Sequence, residues 1–139
     1  MTVKNELVVW NPKSEIPLKL LELEKYEWNE TGFSITLCAD ERLIRFSFNF
    51  VMSFQSTNEQ MMLRFRDSYG ELRDKKFSNY VWSLFKVKNS DYIKWFNEQH
   101  LNRYETIASN VEHYLFVTED EILEVINDHP PTIHIEKKR

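Results

Sequence analysis

Across residues 43–55 large apolar side chains fall on every second position: Ile44, Phe46, Phe48, Phe50, Met52 and Phe54, with Arg45, Ser47, Asn49, Val51 and Ser53 between them. A helix would scatter those rings around its axis, whereas an extended chain sets them on one face. The spacing therefore predicts one long amphipathic strand with an aromatic side. Upstream, Phe33, Ile35 and Leu37 alternate with Ser34, Thr36 and Cys38. Asn29-Glu30-Thr31-Gly32 before that run and Asp40-Glu41 after it are turn-forming, which predicts two hairpin connections. Residues 18–28 read as a further strand: Tyr26 and Trp28 after Pro17 suit an extended chain better than Leu20, Leu21 and Leu23 suit a helix. In residues 80–88, Trp82 and Leu84 lie on one face and Val81, Phe85 and Val87 on the other, the pattern of a strand inside a sheet. Residues 113–117 predict a short strand, and residues 132–135 a last edge strand before the basic Lys137-Lys138-Arg139.

Two segments carry helix signals. Asn89 or Ser90 can cap a helix over residues 91–100, in which Tyr92, Trp95, Phe96 and Gln99 form a stripe at i, i+3, i+4 and i+7. Thr118-Glu119-Asp120-Glu121 matches a capping box, predicting a second helix that ends by Pro130-Pro131 and turns Ile122, Val125 and Ile126 inward. Its acids would sit at the positive end of the helix dipole. Residues 56–79 show little periodicity and read as a loop with a helical turn near Gln60-Met61-Met62.

Strands followed by two short helices in the C-terminal half predict an α+β fold built on a mainly antiparallel sheet. With 139 residues, 42% of them apolar and 14% aromatic, the chain has the size and the core material of a single domain spanning residues 1–139. No run approaches the roughly 18 apolar residues of a membrane helix. The opening Met1-Thr2-Val3-Lys4-Asn5-Glu6 lacks the apolar stretch of a secretory signal, so a cytoplasmic protein without a membrane partner is the expectation.

Composition removes several chemistries. One thiol, Cys38, excludes an internal disulfide and a multi-cysteine metal site, and two glycines are too few for a phosphate-cradling loop. His100, His113, His129 and His134 are not spaced as metal ligands on one helical turn, and no loop carries calcium ligands. No cofactor, no metal and no catalytic residue is therefore assigned. Charge is unevenly spread: residues 51–88 hold seven bases against four acids, and residues 89–129 nine acids against Lys94 and Arg103. A net charge of −4 and an isoelectric point near 5.6 speak against nucleic acid as a partner. The acidic part would instead steer a basic protein, with Glu112, Glu119, Asp120 and Glu124 as its binding residues.

Phe85-Lys86-Val87-Lys88-Asn89-Ser90-Asp91-Tyr92-Ile93-Lys94-Trp95-Phe96, followed by the strand His113-Tyr114-Leu115-Phe116-Val117-Thr118 and its acidic continuation, resembles small bacterial immunity proteins encoded beside polymorphic toxin loci. The likeness covers about the last two thirds of the chain, from the Arg45–Asn58 stretch and its trailing Glu59 onward. It implies a non-enzymatic α+β protein that binds and neutralises a cognate toxin, and the acidic balance of residues 89–129 makes a basic toxin domain, such as a nuclease, the expected partner. The pattern contains no binding motif, so it transfers no functional residue. The alternative is a small enzyme or ligand-binding domain with a pocket near Glu59 and His113. A third reading is a homo-oligomer joined through an exposed sheet edge.

Overall fold

The computed structural model describes residues 5–58, 82–99 and 110–138. Nine strands and one helix occur among them: β1 (Glu6–Val9), β2 (Glu22–Asn29), β3 (Gly32–Ala39), β4 (Arg42–Phe48), β5 (Ser53–Asn58), β6 (Leu84–Lys88), α1 (Asp91–Gln99), β7 (Glu112–Val117), β8 (Glu121–Asn127) and β9 (Thr132–Lys137). The strands form two antiparallel sheets, one ordered β1-β6-β7-β8-β5 and the other β2-β3-β4-β9. The mainly antiparallel architecture thus agrees with the sequence, but one helix is present among the described residues rather than two.

The sheets face each other across an aromatic core. Phe46 meets Phe116 at 5.1 Å, Phe48 meets Tyr114 at 5.8 Å, and Trp10 lies against Phe46, Tyr114 and Phe116. Phe33, Ile35, Leu37, Ile44, Phe46 and Phe48 supply one wall, and Leu84, Tyr114, Phe116, Leu123 and Val125 the other, all at 2% exposure or less. At one end the sheets are tied together: Leu21 bridges Thr118 in parallel, and its N–H donates to Ser83 Oγ at 2.7 Å.

Both short hairpins of the second sheet follow the predicted turns. Asn29 and Gly32 close the β2–β3 connection, and Asn29 Oδ1 accepts the Thr31 N–H at 2.9 Å. Asp40, at φ 56°, takes the left-handed conformation in the β3–β4 turn, which a short polar side chain tolerates.

The strand expected over residues 43–55 is divided. Its first half is β4 in one sheet and its second half is β5 at the edge of the other. The break falls after Phe48: the chain crosses between sheets, Val51 is buried on the way, and the Met52 N–H already donates to Ile126 O at 3.0 Å. Phe46 and Phe48 point into the core, but Phe50 lies in the crossover and is 66% exposed. Alternation was preserved on both sides of a bend, so periodicity alone carried no sign of it. Gly32 (φ 135°) sits against that crossover, where a Cβ would collide with the Phe48 carbonyl.

The second predicted helix is instead β8. Thr118 and Glu121 make half of a capping box around a two-residue turn: Thr118 Oγ1 accepts the Glu121 N–H at 3.0 Å, but the Thr118 N–H donates to the Glu121 backbone O at 3.0 Å and the Glu121 carboxylate accepts Ser56 Oγ instead. The following Ile122, Val125 and Ile126 are β-branched, and both faces of β8 are buried, an environment that favours extended chain over helix. Strand β1, unanticipated from sequence, pairs with β6 and places the latter inside the sheet. Tyr80, Val81 and the expected helical turn at Gln60-Met61-Met62 lie outside the described residues.

Candidate functional site

A polar constellation lies on the face of the five-stranded sheet opposite Tyr114 and Phe116. Strand alternation puts His113 of β7, Glu124 of β8, and Ser53 and Gln55 of β5 on that face, in neighbouring strands. Helix α1 starts beside it because Asn89, at φ 55°, turns the chain out of β6 and delivers Ser90 as the N-cap. Ser90 Oγ accepts the Ile93 N–H at 3.0 Å. Asn5 secures the same helix end, accepting the Asp91 N–H on Oδ1 at 2.7 Å and donating its amide to the Asp91 carboxylate.

The resulting chain of contacts is Ser90 Oγ to His113 Nδ1 at 2.7 Å and His113 Nε2 to Glu124 Oε1 at 2.9 Å, with Gln55 Nε2 donating to Glu124 Oε2. The tautomer with its hydrogen on Nε2 satisfies every partner: the carboxylate accepts from Nε2, Nδ1 accepts from the Ser90 hydroxyl, and Ser90 accepts from Ile93. Tyr92 closes the cluster, its ring edge-on to His113 at 5.3 Å and its hydroxyl 2.5 Å from Ser53 Oγ. Burial holds the Tyr92 phenol above its ordinary range, and the Ser53 bond partly offsets this.

By residue type, Ser90, His113 and Glu124 match a hydrolytic triad, but their geometry has another consequence. In that mechanism the carboxylate orients Nδ1 and the serine faces Nε2; here the two nitrogens have exchanged partners. Ser90 is 5% exposed, His113 1% and Glu124 2%. A serine that caps a helix and is closed off from solvent is held, not poised to attack. The cluster pins the start of α1 to three strands.

The acidic residues expected to bind a partner do not form one surface. Glu119 and Asp120 are exposed at the β7–β8 turn. Glu112 lies at the opposite end of β7, about 23 Å away at the usual strand rise. There it pairs with Lys86 at 3.0 Å and accepts the Tyr114 hydroxyl at 2.9 Å. Burial, with the adjacent Glu112 carboxylate, pushes the Tyr114 phenol well above its normal range. Glu124 is inside, so it leaves the set. His113 is buried with it, and Glu59 lies outside the described residues, which leaves the expected pocket without a described wall on that side. His129 and His134 are exposed beside Asp128 and Glu136.

Cys38 is buried on the face of β3 opposite Leu37, with its Sγ 3.8 Å from Glu22 Oε2, and burial raises its pKa, with Lys138 opposing. It borders a cavity of about 300 Å³ where Glu22, Asp40 and Glu119 are interleaved with Lys19 and Lys138. Lys19 pairs with Asp40 at 3.0 Å, so opposite charges meet there and no single sign dominates. No cluster of three metal-ligating side chains occurs among the described residues. No helix among them is long and apolar enough to cross a membrane.

Among the described residues Phe50, Trp95, Trp28, Leu18 and Tyr26 are the large apolar side chains left exposed, and two of them share one strand. Trp28 (61%) and Tyr26 (39%) stand on β2, an edge strand in which seven of eight residues are exposed. Tyr26 packs on Phe54 at 5.2 Å and Trp28 on Phe33 at 4.5 Å, so both rings are braced from beneath while their outer faces meet water. Compared with family models, curated proteins and solved structures, the chain finds no match.

Proposed function

We propose that the protein acts by binding another protein, as the resemblance to toxin-neutralising immunity proteins implies, and not by turning over a substrate. The observation carrying this reading is the edge of β2, which no strand among the described residues pairs, with its two braced, exposed aromatic rings. An edge strand offers unpaired N–H and C=O groups to an incoming strand, and flanking rings add apolar contact area. The other edges are less inviting. β1 has four residues, and β9 alternates its half-buried Ile133 and Ile135 with exposed His134 and Glu136. At β5, Ser53, Gln55 and Ser56 are already bonded to Tyr92, Glu124 and Glu121. The exposed Glu119–Asp120 turn would add attraction for a basic toxin domain without forming the contact itself.

Co-expression with a toxin domain encoded beside this gene tests the reading. The intact protein should protect the cells and form a complex measurable by calorimetry. Trp28→Pro, which removes an outward N–H and a ring at an edge position that tolerates proline, should abolish both. Protection that survives this change would move the interface off β2. Ester or amide turnover that disappears with Ser90→Ala would overturn the non-enzymatic half of the proposal.

A further inference from the structure

The geometry points to a second copy of this chain as the occupant of the β2 edge, paired antiparallel about a two-fold axis through Tyr26. This rests on the proposal that β2 is the docking edge, and adds the register: the second copy covers that edge in the free protein and must leave it before a toxin domain can dock there.

The register follows from the hairpin. A two-residue turn closes on a pair that exchanges both backbone bonds, so Asn29 bonds inward to Gly32, and likewise Glu27 to Ser34 and Lys25 to Thr36. The N–H and C=O groups of Tyr26 and Trp28 therefore face outward. The register shift between Leu23 and Lys25 bends the strand there and ends the regular edge, so residues 24–29 are available.

Antiparallel self-pairing of so short a strand has three central registers, and the charges separate them. An axis through Lys25 sets lysine against lysine, and one through Glu27 sets glutamate against glutamate; like charges directly opposite are destabilising. An axis through Tyr26 sets Lys25 against the partner's Glu27 and Glu27 against the partner's Lys25. On this outer face Lys25 and Glu27 already lie 3.5 Å apart within one chain, so the dimer would close a square of alternating charge. On the opposite face the two Tyr26 rings meet, while Glu24, displaced by the bulge, is drawn toward Lys138 at 4.0 Å. The same surface is used on both subunits, as a two-fold interface requires.

Sedimentation velocity over a concentration series is the test. The weight-average mass should rise from 16.9 kDa toward twice that value. Lys25→Glu, on an exposed side chain, should weaken association at least tenfold, as should Glu27→Lys. The double exchange Lys25→Glu/Glu27→Lys should restore it, because the opposed pairs are complementary again. A monomer at every concentration, or a dimer indifferent to both single changes, overturns the inference. Its failure is distinguishable from that of the docking edge: a monomer whose toxin protection is still lost with Trp28→Pro keeps β2 as the interface and assigns it a different partner.

Discussion

Glu124 tests the reading of the buried cluster most directly. It is 2% exposed and receives hydrogen bonds from His113 Nε2 and Gln55 Nε2. Glu124→Leu removes the acceptor of both and leaves the Nε2–H of a 1%-exposed histidine without a partner. An orphaned buried donor costs about 1–3 kcal/mol, and loss of a bond to a charged group is of similar size. Gln55 is exposed and can turn to water, so it adds little, and the new leucine recovers about 1 kcal/mol by apolar burial. The net expectation is a loss of about 2–3 kcal/mol. With a urea slope of about 2 kcal/mol/M, the unfolding midpoint falls by about 1–1.5 M. Glu124→Gln keeps an acceptor for His113 and should cost only about 1 kcal/mol. The control is His113→Leu combined with Glu124→Leu, which removes both partners and should cost less than the sum of the single changes by at least about 1 kcal/mol. Strict additivity, or a Glu124→Leu variant within about 0.5 kcal/mol of the parent, would refute the claim that these side chains form one bonded unit.

Other consequences are independent of that cluster. Phe48→Ala should cost about 3–5 kcal/mol in urea unfolding and Phe50→Ala less than about 0.5, although the two residues share one sequence alternation; equal costs would place Phe50 in the core. Gly32→Ala combines a φ of 135° with a collision against the Phe48 carbonyl, and should lower stability by at least about 2 kcal/mol in thermal unfolding; a neutral result would mean that the β4–β5 crossover does not pass there. Tyr114 has its phenol pKa raised above the ordinary value of 10 in the folded state, so the folded protein holds this proton more tightly than the unfolded chain. The stability linked to it is complete below pH about 10 and declines as pH rises above that. Tyr114→Phe should flatten this alkaline decline, and phenolate absorbance in the parent should show one tyrosine ionising only with unfolding.

Local pattern and neighbouring turn residues were enough to locate most strands, because each hairpin of the second sheet is a nearest-neighbour event: Asn29–Gly32 and Asp40–Glu41 turn, and the flanking residues pair. Two features needed information from distant residues. The bend at Asn49 is imposed by the second sheet, where Ile126 receives the Met52 N–H, and no residue between Phe48 and Met52 is a strong breaker. The Thr118-x-x-Glu121 motif supplies the same side-chain bond to a helix start and to a tight hairpin. What decided between them was the burial of both faces of residues 121–127, which a strand between β7 and β5 meets and a surface helix does not.

The candidate site was legible only in fragments, and the missing piece was adjacency. Ser90 could be identified as a cap, and His113 could be singled out, but nothing local ties either to Glu124. One signal was present: Glu124 is the single charge within Ile122-Leu123-Glu124-Val125-Ile126, and an acid in the middle of an apolar strand must find a buried donor. Assigning it to a solvated acidic face treated composition as location. In three dimensions an acid in a run of exposed acids steers partners, whereas an acid alone among aliphatics holds a core together. By that criterion the binding surface proposed for β2 rests on side chains the core leaves outside, Tyr26 and Trp28, and not on an acid buried among aliphatics.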